Sequence, residues 1–121
     1  MSHRITTISF ASTGIQSIPT DFVAAGYKIF LGKKVGSTQN FSAQSHGWFD
    51  GSNQWYDSFF QSDTAGKKFQ GTDRVVHHHE STGSPVVEAE HDAIVGGGSP
   101  SIDVNVISTN VNYDWTVEYW D

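Results

Sequence analysis

Cysteine is absent from this 121-residue chain, which removes disulfides, thiolate nucleophiles, cysteine-ligated zinc and iron–sulfur clusters together. Leucine is nearly absent, Leu31 being the only one, so the aliphatic share rests on Val and Ile, which favour sheet over helix. Positive charge is scarce. Seven Lys and Arg stand against 13 Asp and Glu, a net charge of −6, and no basic stripe exists to neutralise a phosphate backbone, so nucleic acid is not an expected partner. Long apolar runs are missing as well: none approaches the roughly 20 residues of a membrane-spanning helix, and Met1 to Phe10 is polar and alternating, unlike a signal peptide. The expectation is a soluble protein, cytoplasmic or released without a signal peptide. Aromatic residues are not scarce. They make up 13% of the chain, four of them Trp, against the aromatic-poor signature of disorder.

The length fits one domain, residues 1–121, with no internal repeat or linker. Val111, Tyr113, Trp115, Val117 and Tyr119 alternate with Asn112, Asp114, Thr116 and Glu118, the period of a strand with one buried face. Ile102, Val104 and Val106 alternate just before it, and Ser108-Thr109-Asn110 supplies turn chemistry, which predicts a hairpin. A second hairpin is predicted from Arg74–Glu80 and Pro85–Asp92 around Ser81-Thr82-Gly83-Ser84, where Gly83 could take a positive φ. Its antiparallel register sets His78 opposite Val87, His77 opposite Glu88 and Val76 opposite Ala89. Val76, His78, Val87 and Ala89 then share the apolar face, while Val75, His77, His79, Val86, Glu88 and Glu90 form a solvated one. Further strands are expected at Thr6–Phe10 and Tyr27–Leu31, a helical turn at Pro19-Thr20-Asp21, and a turn at Gly96–Pro100. The fold class is all-β, a small antiparallel β-sandwich, with a small barrel as the alternative.

His77-His78-His79 invites a metal reading, because imidazole is a common zinc ligand. On a strand His77 and His79 share a face, and cross-strand Glu88 could complete a set of three for a divalent metal. A solvated histidine cluster is the simpler reading, and no cofactor is expected. The segment Ser45–Asp57 interleaves aromatics with amides and carboxylates around an Asp50-Gly51 turn. Indole and phenol rings stack on the C–H face of a sugar, and Asp and Asn match vicinal hydroxyls. Trp48, Asp50, Asn53, Trp55, Tyr56 and Asp57 are therefore the candidate ligand-binding loop, joined by Trp120 on the polar face of the last strand.

For catalysis the sequence offers no Gly-x-Ser-x-Gly elbow, no phosphate loop at Gly96, and no carboxylate spacing beyond ordinary strand alternation. A non-enzymatic protein is expected. Gly47-Trp48-Phe49 and Ala65-Gly66-Lys67-Lys68-Phe69 resemble stretches of the aegerolysins, small acidic β-sandwich proteins that bind membrane lipids. Asp103-x-Asn105-x-Ile107 resembles part of the sugar-binding motif of the monocot mannose-binding lectins, although Ser101 and Thr109 replace its Gln and Tyr and its threefold repeat is missing. Both resemblances cover only a fraction of the chain. The favoured expectation is a lectin-like module whose partner is a glycan or glycoconjugate. The alternatives are a pore-forming or lipid-binding component facing neutral membrane lipid, and a metal-dependent enzyme built on His77 and His79. A homo-oligomer is expected, because one shallow sugar site binds weakly and multivalency compensates.

Overall fold

The structure, a computed structural model, describes all of residues 1–121 as ten strands with no helix. In chain order these are β1 (His3–Ile8), β2 (Gly14–Pro19), β3 (Gly26–Leu31), β4 (Ser42–Phe49) and β5 (Gln54–Gln61). They continue with β6 (Gly66–Gly71), β7 (Val76–His78), β8 (Val87–Val95), β9 (Ser101–Ser108) and β10 (Trp115–Trp120). Two antiparallel sheets result, one of six strands in the order β1-β10-β3-β4-β5-β6 and one of four in the order β2-β9-β8-β7. The sheets stay open, so the fold is a sandwich and not a barrel.

The core between them is a cluster of 17 buried residues. From β3 come Tyr27, Ile29 and Leu31, as their alternation predicts, and from β10 Trp115, Val117 and Tyr119. The facing sheet supplies Val76, Val87, Ala89, Ile102, Val104 and Val106. With one leucine available, large aromatics fill the volume: Trp115, Tyr27 and Tyr113 are the bulkiest fully buried side chains. Phe10 lies just past β1 and meets Trp115 edge-on at 4.8 Å.

The β7–β8 hairpin has the predicted register, with Val76 opposite Ala89, His77 opposite Glu88 and His78 opposite Val87. Its turn forms without a positive φ at Gly83, whose N–H instead donates to Ser81 Oγ at 3.1 Å. The turn after β8 does use left-handed glycines, Gly97 at φ 86° and Gly98 at φ 60°.

Three expectations are corrected. Ile102–Val106 and the C-terminal strand are not a hairpin: β9 pairs with β2 and β8, whereas β10 pairs with β1 and β3 in the other sheet. The segment between them crosses the sandwich, leaving Val111 exposed and Tyr113 buried. Pro19-Thr20-Asp21 forms no helical turn; Pro19 ends β2. The first strand begins at His3 and stops before Phe10. β10 is an interior strand, and the two sheets end on β1 and β6 and on β2 and β7.

The face of the hairpin expected to be solvated is covered. Val75 and His79 are buried, and His77 is largely so. β4 and β5 of the longer sheet pack over β7, where small residues on their inner side make room. Ser45 and Ser58 are buried there, Ser45 Oγ accepts the His77 N–H at 3.0 Å, and Gly47 lies against the Val75 backbone.

Candidate functional site

Strand alternation turns Ala43, Ser45, Gly47, Tyr56, Ser58 and Phe60 inward, which leaves His46, Trp48 and Trp55 on the outer face. Trp48 and Trp55 are directly opposite across the two strands, with ring centroids 5.7 Å apart and planes 13° from parallel. His46 continues the row, 6.3 Å from Trp48 at 23°, and Phe30 on β3 packs on His46 at 5.1 Å. Phe30 remains 37% exposed. The outer face of the six-stranded sheet thus carries aromatic rings on three adjacent strands, Phe30 exposed and His46, Trp48 and Trp55 half-buried.

Polar groups flank these rings in register. Glu118 is opposite Lys28, and Lys28 opposite Trp48. In the neighbouring row Asp57 lies between His46 and Gln70. Three shallow hollows follow. The first lies among Lys28, Phe30, His46, Trp48, Thr116 and Glu118; the second among Trp48, Trp55, Asp57, Gln70 and Thr72; the third among Ser52, Asn53, Gln54, Trp55 and Thr72.

The expected ligand-binding loop is therefore mostly strand. Trp48 belongs to β4, while Trp55, Tyr56 and Asp57 belong to β5; only Asp50 to Asn53 form the turn. Trp48, Trp55 and Asp57 share the outer face, with Asn53 at its end. Tyr56 points the other way, is buried, and stacks on His77 at 4.5 Å. Burial raises its phenol pKa, with Asp73 adding to the effect. Asp50 Oδ1 accepts the N–H groups of Asn53 at 2.8 Å and Ser52 at 2.9 Å, which holds its carboxyl below the ordinary range and commits it to shaping the turn. Trp120 shares the outer face but lies a row away, its indole resting over Gly26, where a Cβ would come within 2.8 Å of Cζ2.

Compared with known proteins, the chain matches no family model, no curated protein and no solved structure.

The histidine strand forms a different environment. His79 lies flat on Phe69, centroids 3.6 Å apart and 6° from parallel, and neither of its ring nitrogens has a hydrogen-bond partner. His78 faces the core, edge-on to Tyr113 at 4.8 Å, and its nitrogens are also unpartnered. Burial lowers both imidazoles to a pKa of about 4. His77 is lowered by burial too, against the opposing pull of Glu88, whose Oε2 lies 3.4 Å from Nδ1. That same oxygen accepts Arg74 Nε at 3.0 Å. His77, His79 and Glu88 are neighbours, yet no three His, Asp or Glu side chains in the structure are grouped to share a metal ion. Stacking on Tyr56 and Phe69 gives the two rings a packing role.

Lys28, His46, Gln70, Thr72 and Glu118 border the hollows without having been singled out in the sequence. Lys28 could have been placed, since it alternates with Tyr27 and Ile29. Gln70, on β6, and Thr72, just past its end, could not, because this stretch shows no apolar periodicity.

Proposed function

We propose that this protein is a non-enzymatic carbohydrate-binding module whose ligand lies on the outer face of the six-stranded sheet. The observation that carries the reading is the near-parallel Trp48–Trp55 pair flanked by the cross-strand Asp57–Gln70 pair. An indole offers a flat, weakly polar face to the C–H face of a pyranose, while one carboxylate accepts from two adjacent hydroxyls and an amide both donates and accepts. The site has all three beside one another on a sheet, a backbone that holds them without large rearrangement.

The charge balance narrows the ligand. Lys28 is the only cation bordering the hollows, against Asp57 and Glu118, in a chain of net charge −6. Sulfated or other polyanionic glycans and acidic lipid headgroups are repelled, and neutral sugars are not. A shallow site of this kind gives weak affinity per copy, so strong adhesion to a glycosylated surface calls for several copies.

A glycan array probed with the purified protein tests the reading, with neutral phosphatidylcholine vesicles as the competing ligand. Binding to neutral glycans that a soluble sugar displaces supports it. Vesicle binding without any glycan binding would replace it with a lipid-interface role for the same Trp residues.

A further inference from the structure

The four strands that end the two sheets are not alike. β7 is three residues long, and the Val75 backbone beside it lies against Gly47 of β4. β6 carries Lys67 and Lys68 between a glycine at each end. β2 opens on Gly14 at φ 93° and closes on Pro19, which has no N–H to offer. Shortness, lysine and proline are means by which a sheet edge avoids pairing with another chain, and glycine weakens a strand. β1 has none of these features. It runs six residues from His3 to Ile8, four of them β-branched, in unbroken register with β10, and its Ile5 is 62% exposed on the outer face.

Backbone direction sets what this edge offers. Ser2 O accepts the Asp121 N–H at 3.2 Å, and alternate residues of an antiparallel strand bond to the same neighbour, so Arg4, Thr6 and Ile8 bond to β10. His3, Ile5 and Thr7 turn their N–H and C=O groups the other way, along the end of the sheet.

We infer that β1 is a self-association edge: two copies of this chain pair antiparallel through β1, with Ile5 opposite its own counterpart. That register sets His3 of each copy opposite Thr7 of the other, and Arg4 opposite Thr6. Every N–H and C=O group that His3, Ile5 and Thr7 turn outward then meets a partner, whereas a shift of two residues either way sets one of the three against chain outside β1. The two Ile5 side chains cover each other, and no like charges are opposed. Arg4 is paired within its own copy with Asp21 at 3.3 Å, and His3 with Glu118 at 3.0 Å.

The two-fold axis of such a pair stands perpendicular to the sheet, so the six-stranded sheets join into one, with both Trp48–Trp55 faces on the same side. The two β4 strands are then roughly seven strand spacings apart, about 34 Å along the sheet. Pairing itself requires no ligand. Its consequence rests on the carbohydrate reading: one dimer presents two sites to one glycosylated surface.

Ile5→Cys tests the register, because the chain has no other thiol. Opposed residues of an antiparallel pair have Cα atoms about 4.5–5.5 Å apart, within disulfide reach. Ile5→Cys is expected to form a disulfide-linked dimer with oxidised glutathione under native conditions, and Thr7→Cys, whose counterpart lies ~13 Å away along the strands, is not. In analytical ultracentrifugation the unsubstituted chain is expected to dimerise as concentration rises from micromolar to millimolar. Ile5→Lys, which opposes two ammonium groups, is expected to weaken association at least tenfold with an unchanged thermal melt. A chain that stays monomeric at millimolar concentration, equal crosslinking of the two cysteine variants, or unchanged association of Ile5→Lys overturns the proposal. On a surface coated with glycans that the chain binds, the dimer is expected to be retained at least tenfold more tightly than Ile5→Lys, with equal affinity for soluble sugar. Equal retention overturns the one-sided arrangement of the two sites. Dimerisation without any glycan binding leaves the edge standing and sinks the carbohydrate reading alone.

Discussion

Gly47 faces the backbone carbonyl of Val75 so closely that a Cβ at position 47 would overlap that oxygen. This contact lets the edge of β7 sit against the inner side of β4, and through it the position of β7 constrains which residues β4 can carry inward. Gly47→Ala should therefore cost at least about 3 kcal/mol, the upper end of overpacking penalties, because the obstacle is backbone and not a movable side chain. Gly66→Ala, whose added carbon would find its nearest neighbour at 3.6 Å, should change stability by less than about 0.5 kcal/mol. Urea unfolding of the two variants checks this; similar midpoints would show that β7 is not held against β4.

The buried histidines predict a loss of stability in mild acid. His78 and His79 have folded-state pKa values of about 4 against an ordinary 6.5, because burial disfavours the imidazolium. The unfolded chain therefore binds more protons between these values. Stability is fully present above pH 6.5 and falls as pH drops toward 4, by up to about 1.4 kcal/mol per pH unit for each group. The charges around them come from several elements: Glu80 near His78, and His77 and Glu88 near His79. Thermal melts at pH 7.5, 6 and 4.5 should show a falling midpoint, and His79→Phe should flatten the dependence. A midpoint constant over this range contradicts the buried, neutral state of these rings.

Tyr113 donates a 2.7 Å hydrogen bond to Glu80 Oε1, and Lys34 Nζ lies 3.6 Å from the same oxygen. The phenol is otherwise fully buried, and its pKa is raised by that burial and by the carboxylate. Tyr113→Phe removes a hydrogen bond to a charged group while preserving packing, so a cost of about 1.5–3 kcal/mol is expected in denaturant titration. A neutral outcome would show the carboxylate to be equally well satisfied by Lys34 and water.

What the sequence reveals differs by element. The β7–β8 register was legible because a short turn and strict alternation specify it locally. That its second face is buried was not, since the covering residues Tyr56 and Phe69 come from strands elsewhere in the chain. The C-terminal alternation correctly gave the buried set from Tyr113 to Tyr119. Its partners β1 and β3 are remote in sequence, so proximity to β9 suggested the wrong pairing. The strand character of Trp48 was concealed for a physical reason: the inner side of β4 carries Ala43, Ser45 and Gly47 to accommodate β7. With small residues inside and His46 and Trp48 outside, the usual relation between hydrophobicity and burial is inverted there. The same inversion leaves the aromatic pair available on the surface.

The outer-face Trp residues and the core Trp should respond differently to truncation. Trp48 and Trp55 are half-buried and stack on each other, so either change to Ala should cost about 2 kcal/mol, one aromatic pair plus a partial burial contribution. Trp115, fully buried against Phe10, should cost about 3–5 kcal/mol, enough to unfold most of a small domain. Unfolding of Trp55→Ala to the same extent as Trp115→Ala would place the outer pair in the structural core.

Whether the Trp48–Trp55 face holds a sugar is tested by glycan binding of the Trp55→Ala protein, once its fold has been verified by circular dichroism and thermal melting. The variant is expected to be β-rich and to melt cooperatively, and to have lost at least tenfold in affinity for the glycans the unsubstituted protein binds. A folded Trp55→Ala protein that binds those glycans unchanged contradicts a sugar site on this face.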